Sequence, residues 1–302
     1  MVSNIEKVLY PEVGFTKGQV IDYYIRIAPV LLPHLKARPI TLKRYPDGVN
    51  GFFFYEKQCP SHRPKWVKTT TVTSQRKEGK IDYCVMSDLP ALVWAANLAN
   101  LELHTFLHKA PSITRPTTMA FDLDPGAPAN IVQCCQVALW LRDVFDGFGL
   151  QSFPKTSGSK GLQLYVPLNA PGATYDKTKE FAYRVARRLE QEHSEQIVSR
   201  MQKALRNGKV LIDWSQNDDH KTTICVYSLR AKAQPTVSTP ITWEEVEKCL
   251  QEKNAEVLNF TNQDVLKRVQ DLGDLFEPVL KLKQRIPTEK ALAEAGLAET
   301  SA

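Results

Sequence analysis

The 302 residues are 43% hydrophobic and 24% charged, with a formal net charge of +6, an ordinary balance for a globular chain with room for a sizeable core. No run approaches the ~18 apolar residues of a membrane span, and MVSNIEKVLY lacks a basic region followed by an apolar run, so neither a membrane protein nor a secretory signal is indicated. The mild basicity suits a polyanionic partner without requiring one.

Thr16 followed by Gln19 forms a capping-box pattern. It opens a predicted helix whose apolar face is Val20, Tyr23, Tyr24, Ile27, Leu31 and Leu35. Lys17 and Gly18 then fall in the first turn, where backbone N–H groups are expected to be free and the helix dipole favours an anion. A lysine at that end fits better beside an anion than alone, the alternative being simple solvation. Short strands are predicted near 40–45, 51–56, 66–73 and 81–86, and a helix over 89–99 leads into the segment ELHTF. TTMAFDLDPG reads as a strand ended by Pro125-Gly126. Asn130 caps the next helix, with Ile131, Cys135, Ala138, Leu141, Phe145 and Phe148 inward. The loop TSGSKG and the strand LQLYVPL follow, then a long helix over roughly 174–206 stopped by Asn207-Gly208. KVLID is a compact apolar strand ending in an acid, and TTICVYSL is a second strand. Thr242 with Glu245 caps a further helix, and the polar, Ala-rich end from about Thr288 is expected to fray. The alternation favours one α/β domain with a mixed sheet. Of the six cysteines, none form a CxxC pair, and the CxxH of Cys59 and His62 has no second half. This argues against zinc and for a cytoplasmic chain with reduced thiols.

The chemistry concentrates in the second half. In a strand, residues i and i+2 share a face roughly 6–7 Å apart, so Asp122 and Asp124 present two carboxylates at a strand end. Like charges so placed repel unless a cation lies between them. Hard divalent cations suit oxygen ligands, and a pair of them can flank an in-line phosphoryl displacement. A DxD pair is also an ordinary solvated turn and occurs in glycosyltransferases, phosphatases and nucleases. Asp213 closes the apolar run Val210-Leu211-Ile212, where an acid needs a cation or donor. It either completes a two-metal site or caps the strand end on Ser215 or Asn217. In Thr156-Ser157-Gly158-Ser159-Lys160-Gly161, two glycines, two hydroxyls and a lysine suit a phosphate cradle of backbone N–H groups. The GxxxxGK[ST] P-loop pattern is absent and a strand follows, so the loop could equally be a plain turn. Alternation puts Lys221, Thr223 and Cys225 on one strand face with Arg230 beyond, either a set of cations for a triphosphate or a solvated face. His104 is ambiguous between a ligand contact and a structural histidine.

Several longer segments strengthen the functional readings: EKVLYP at 6–11, FTKGQVIDYY at 15–24, RPITLKRYPDGV at 38–49, FFYEKQCP at 53–60, ANLELHTF at 99–106, RPTTMAFDLDPG at 115–126, KTSGSKGLQLYVPL at 155–168, GKVLIDWSQN at 208–217 and KTTICVYSLRA at 221–231. In this order the chain resembles the polymerase domain of the bacterial end-joining DNA ligase D, a branch of the archaeo-eukaryotic primase superfamily. The resemblance implies a single primase-polymerase domain over 1–302: a DNA-end-binding part over 1–110, a catalytic core over 111–250, helices over 251–287 and a flexible tail over 288–302. It implies an α/β (mixed α+β) fold, a catalytic core with an RNA-recognition-motif-like, mixed or antiparallel sheet flanked by helices. Asp122, Asp124 and Asp213 would be the catalytic, metal-binding acids, holding two divalent ions, Mn2+ or Mg2+. His104, Ser157, Ser159, Lys160, Gln163, Lys221 and Arg230 would hold the incoming NTP. Lys7 and Lys17 would bind a 5′-phosphate at a gap or break, with Phe54 and Tyr55 stacking on the template. Ribonucleotides would be preferred, in non-homologous end joining, with Ku and a separate DNA ligase as partners and a cytoplasmic, nucleoid-associated location. A two-metal nuclease or phosphatase on the same acids, a silent end-binding module and a de novo primase are the competing readings. Two departures stand out. Many members end the SGxKGxH motif in histidine, where this chain has Gln163, which can hydrogen-bond but not carry charge. No ligase-type KxDG motif occurs, so sealing is expected to need another protein.

Overall fold

The computed structural model describes residues 2–73 and 79–297. The chain divides into two compact units, each assembled from separate segments: Met1–Ile113, Thr222–Thr239 and Phe260–Asp274 form the first, and Thr114–Lys221, Pro240–Asn259 and Leu275–Ala302 the second.

In the first unit, a small ribbon of β1 (Val8–Tyr10) and β2 (Phe15–Thr16) leads into α1 (Lys17–Leu35). The capping box is formed as expected: Thr16 Oγ1 accepts from the Gln19 N–H, and the Gln19 side chain accepts from the Thr16 N–H. All six residues of the expected apolar face are buried, and the Tyr23 and Tyr24 hydroxyls donate to the Tyr227 and Leu101 carbonyls. The free N–H groups expected at the start of α1 are not there. Lys17 N–H donates to the Lys7 carbonyl and Gly18 N–H to the Ile5 carbonyl, both at 2.8 Å, because the N-terminal segment folds back over the helix start. Next come β3 (Ile40–Arg44), β4 (Phe54–Glu56), β5 (Lys68–Thr73), β6 (Lys80–Val85), α2 (Leu89–Asn97) and β7 (Asn100–Thr105). Cys59 and Cys84 are joined by a disulfide, which corrects the expectation of reduced thiols for this pair and removes Cys59 from any CxxH ligand set. The other four cysteines are free and buried.

The second unit opens with β8 (Thr118–Pro125), then α3 (Ile131–Gly147), β9 (Phe153–Thr156), β10 (Leu162–Pro167), α4 (Tyr175–Glu192), β11 (Ile197–Val198) and β12 (Val210–Asp213). The strands form one mixed sheet in the order β11-β12-β8-β10-β9, with β11 and β12 parallel and the rest antiparallel. Asn130 caps α3 as expected, in a capping box with Gln133. The helix expected over 174–206 ends at Glu192. Ile197 and Val198 instead pair with Val210 and Leu211, and His193 stacks flat on Trp140 at 3.6 Å. Helix propensity is a weak prior, and here the open edge of β12 takes the two β-branched residues because its N–H and C=O groups need partners. The unanticipated β9 is an edge strand, the position that tolerates its Pro154.

The chain then crosses back. β13 (Thr223–Ile224) extends the first unit's antiparallel sheet, whose order is β13-β7-β3-β6-β5 with β4 also paired to β3. The longer strand expected over TTICVYSL stops there. Ser228 Oγ accepts the Leu103 N–H that a continuing strand would have bonded, and Tyr227 turns with φ +63°. α5 (Trp243–Glu252) carries the predicted Thr242–Glu245 capping box in the second unit, and α6 (Asn262–Leu272) returns to the first. α7 (Glu277–Lys281) and α8 (Glu289–Glu294) complete the second unit. The expected fraying from residue 288 is corrected as far as 297: Thr288 caps α8, and Leu292 and Leu297 are buried. Among the described residues no helix is long and apolar enough to cross a membrane.

Candidate active site

Strand alternation builds the acid row in the second unit. Phe121 and Leu123 are buried on one face of β8, which turns Asp122 and Asp124 to the other. The antiparallel register places Asp213 of β12 directly opposite Asp122, and Gln163 of β10 opposite it on the other side. Side chains so paired lie roughly 4.5–5.5 Å apart at Cβ. Gln163 Nε2 donates to Asp122 Oδ1 at 3.0 Å, and the Tyr165 hydroxyl donates to Gln163 Oε1 at 3.4 Å. Burial pushes the Asp122 carboxyl up to about 6; the Asp213 and Asp124 charges push the same way, while the Gln163 amide and the Lys155 ammonium pull against them. Asp213 Oδ1 accepts from the Ser215 N–H and hydroxyl at 3.0 and 2.5 Å, and its Oδ2 accepts from Gln216 Nε2 at 2.9 Å. The strand-end bond to Ser215 is therefore present. The bond to Asn217 is not, because that amide spans the Ala120 N–H and carbonyl. Asp124 is more exposed and lies 3.4 Å from Arg206.

The glycine loop abuts this row. A Cβ on Gly161 would fall 1.9 Å from the Leu123 carbonyl oxygen, so only glycine lets the loop pass β8 there. Ser157 Oγ accepts the N–H groups of Ser159 and Gly161, both at 3.2 Å, so those two do not form the open phosphate cradle expected of them. What the loop exposes is the side chains of Ser159 and Lys160. The Lys221 ammonium donates to the Ser215 hydroxyl, which in turn holds Asp213. Lys155 was not foreseen. It is fully buried on β9, with its ammonium 5.5 Å from the Tyr165 ring centroid.

In the first unit, His104 Nε2 lies 2.9 Å from Glu102 Oε2, and Arg230 Nε donates to Glu102 Oε1 at 3.2 Å. Phe54 and Tyr55 belong to a larger aromatic group. Phe52 stacks on Phe54 with centroids 5.8 Å apart, Phe53 stacks on Tyr45 at 5.3 Å, and Phe52, Phe53 and Tyr55 are exposed. The Lys7 ammonium is 3.1 Å from Asp47, and Lys17 is buried, its ammonium held below the usual lysine range by burial and by the charge of Lys7.

A family model for the LigD primase-polymerase domain matches residues 16–276. The chain belongs to this family. It is 38% identical over 299 residues to the multifunctional non-homologous end joining protein LigD of Mycolicibacterium smegmatis, covering 97% of this chain and 38% of that protein. It is 40% identical over 288 residues to the LigD of Mycobacterium tuberculosis H37Rv, covering 91% of this chain and 36% of that protein. The bifunctional LigD of Bacillus subtilis is 31% identical over 274 residues, with 91% of this chain and 43% of that protein covered. The chain thus spans roughly two fifths of the length of these LigD proteins. The solved polymerase domain of Mycobacterium tuberculosis Ligase D in complex with DNA superposes with a TM-score of 0.86 at 39% identity, over 93% of this chain and 97% of that one. The LigD-type fold confirms the mixed architecture of antiparallel sheets flanked by helices, and the chain is a nucleotidyltransferase of the primase-polymerase kind.

A polymerase domain of this kind uses divalent metal. The acid row of this LigD-type domain fits one. It offers hard oxygen donors on one face, and the Asp122 carboxyl is raised first by burial and then by the neighbouring Asp213 and Asp124 charges, which a cation would offset. Among the described residues, the three groups that already bring one ligand atom each within 4.8 Å of one another are Asp218, Asp219 and His220. Lys179 holds Asp218 at 2.7 Å, and neither that pairing nor the exposure of the group assigns it a role. The residues that escaped sequence reading are Lys155, Glu102, Lys43, Phe52 and Phe53. For Glu102 the signal was present: an acid in the apolar alternation Leu101-Glu102-Leu103, two residues from His104.

Gln163 supplies an outcome that tests this arrangement. Gln163→His should keep one donor for Asp122 and leave extension within about threefold of wild type, whereas Gln163→Leu strands a half-buried carboxylate and should cost about 1–3 kcal/mol of stability. Steady-state extension and thermal melting check both, and inactivation by Gln163→His would show that the amide does more than hold Asp122.

Proposed function

We propose that the chain extends a primer strand by templated nucleotide addition at gaps or break ends carrying a 5′-phosphate, preferring ribonucleotides, in non-homologous end joining. The observation that carries this reading is the row Gln163–Asp122–Asp213, with Asp124 beside it, on one sheet face of a LigD primase-polymerase fold. Asp122, Asp124 and Asp213 would hold two divalent ions, manganese in preference to magnesium. When bound, such ions screen phosphoryl charge and lower the pKa of an attacking hydroxyl. The protein's own part is positional. β8 and β12 fix the three carboxylates on a rigid sheet, and Gln163 and Ser215 orient two of them. Ser157 braces the glycine loop, from which Ser159 and Lys160 would reach the triphosphate, and Lys221, His104 and Arg230 would supply further contacts to the nucleotide. Lys7 and Lys17 would take the 5′-phosphate, and Phe54 and Tyr55 would stack on template bases, a sequence-tolerant contact of about 1–3 kcal/mol per base. The DNA-bound polymerase domain supports DNA as the partner, and the relatives named for end joining support that process as the setting, in which Ku would be a co-worker.

The test is single-nucleotide extension on a gapped duplex with and without a downstream 5′-phosphate, comparing rNTP with dNTP under each metal. Ribonucleotides should be added faster, by about tenfold or more for a site that bonds the 2′-hydroxyl, with manganese the better metal. A deoxyribonucleotide preference under both metals would overturn the sugar assignment, and no extension under any condition would overturn the whole reading.

A further inference from the structure

On β7, Leu101 and Leu103 are buried on one face, and Glu102 and His104 share the other. Glu102 is 1% exposed, an unusual place for an acid. Its oxygens are fully used. Oε1 accepts from Arg230 Nε at 3.2 Å and from the Ala231 N–H at 3.1 Å. Oε2 lies 2.9 Å from His104 Nε2 and 3.6 Å from Lys43 Nζ. Lys43 in turn sits 4.7 Å from the Phe53 centroid and 5.2 Å from that of Tyr55. Burying a carboxylate is costly unless it is paired and hydrogen-bonded. Here the pairing exceeds neutralisation, because Arg230 and Lys43 bring two positive charges against one negative. Burial raises the Glu102 carboxyl, but its bond to His104 and the Arg230 and Lys43 charges outweigh that and hold it well below the usual range. It is ionised at any working pH, while burial lowers His104 and keeps the ring neutral. A neutral imidazole facing a carboxylate through Nε2 carries its proton there, which leaves Nδ1 as the ring's acceptor.

We propose that Glu102 is a positioning residue for the incoming nucleotide: it fixes the tautomer of His104 and the rotamer of Arg230 and spaces Lys43 beside them, without touching the nucleotide. The role follows from one buried carboxylate being the common partner of all three side chains. The surplus positive charge it leaves suits a polyphosphate, and its reach to Lys43 ties that charge to the aromatic group on β4. The inference rests on the reading of His104 and Arg230 as nucleotide contacts.

Glu102→Gln tests it, because glutamine keeps the shape but turns an amide N–H toward His104 or Arg230, donor against donor. In extension of a primed template with a single ribonucleoside triphosphate, KM for the nucleotide should rise about 10- to 100-fold with kcat within about threefold, the pattern of lost uniform binding. The Kd for primed DNA should stay within about twofold. Glu102→Gln combined with Arg230→Ala should be little worse than the weaker single variant, since the two changes remove one unit. Should Glu102→Gln fail to fold by circular dichroism, Glu102→Asp retains the charge but not the reach and should show the same KM rise. A lowered kcat at unchanged KM means a smaller active fraction and overturns the proposal, as does wild-type kinetics in Glu102→Gln while Arg230→Ala raises KM. If His104→Ala and Arg230→Ala both leave KM unchanged, the nucleotide assignment itself has failed, an outcome separate from the others.

Discussion

Asp122→Asn is expected to abolish primer extension and, in the same variant, to make the metal-free protein more stable. The loss of activity, roughly a thousandfold or more, follows from removing the central carboxylate of the three that would hold the ions screening the transferring phosphoryl group. The gain in stability follows from the pKa. The Asp122 carboxyl rises from an ordinary 3.8 to about 6 in the fold, through burial first and then the Asp213 and Asp124 charges. A folded value above the unfolded one means that the folded state binds the extra proton, so stability falls as pH rises through the window between the two values. At about 1.36 kcal/mol per unit, with a discount for the partial exposure of the side chain, ionising Asp122 costs on the order of 1–3 kcal/mol above the window. Asparagine removes that cost and still accepts from Gln163. In a chelator at pH 7.5 the variant should melt several degrees above wild type, and at pH 4 the difference should vanish. Adding manganese should raise the wild-type melting temperature by mass action and leave the variant almost unmoved. A variant less stable than wild type at pH 7.5 would show that the carboxylate is satisfied without a cation, and near-normal extension would sink the three-acid mechanism.

How much of this was legible in the sequence depends on whether the signal was local. The capping boxes at Thr16 and Thr242 and the Asn130 cap were readable because each is complete within four residues. The side-by-side placement of Asp122 and Asp124 follows from strand period alone. That Asp213 faces Asp122, with Gln163 on the opposite flank, required the register of three strands, and no single segment contains it. Gln163 looked like a departure from a motif, and the fold shows it donating to the central acid. The segment after Glu192 misled because its helical propensity is genuine, while the partner that recruits Ile197 and Val198 lies more than ten residues on. The Cys59–Cys84 pair was lost to a general argument about thiols, since their proximity depends on how β6 lies against the loop after β4. Glu102 illustrates the other limit. Its oddity on an apolar strand was visible, but its partners Lys43 and Arg230 lie 59 and 128 residues away from it in the chain.

The last expectation concerns the DNA end and changes with what the fold shows at α1. Because the Lys17 and Gly18 N–H groups already bond the N-terminal segment, a 5′-phosphate there must be held mainly by side-chain ammonium groups. The strained member is Lys17. Burial and the neighbouring Lys7 charge both disfavour its protonated form, and a phosphate near the two would relieve that repulsion. Lys7 is engaged with Asp47 at 3.1 Å, but both side chains are largely exposed, and such pairs contribute only about 0–1 kcal/mol. The pair should therefore yield to a phosphate at little cost. Wild type should bind gapped DNA bearing a recessed 5′-phosphate more tightly than the same DNA without it, by on the order of 1–3 kcal/mol or about 5- to 150-fold, as charge-assisted contacts supply. Lys17→Ala and Lys7→Ala should each lose most of that increment while binding to the unphosphorylated duplex falls little. Asp47→Asn should enlarge it, because Lys7 no longer has to leave a partner. Fluorescence anisotropy on the matched pair of duplexes separates these outcomes. Equal binding to both duplexes would discard end recognition and leave a general primer-extending enzyme, and a smaller increment in Asp47→Asn would mean that Asp47 aims Lys7 rather than competing for it.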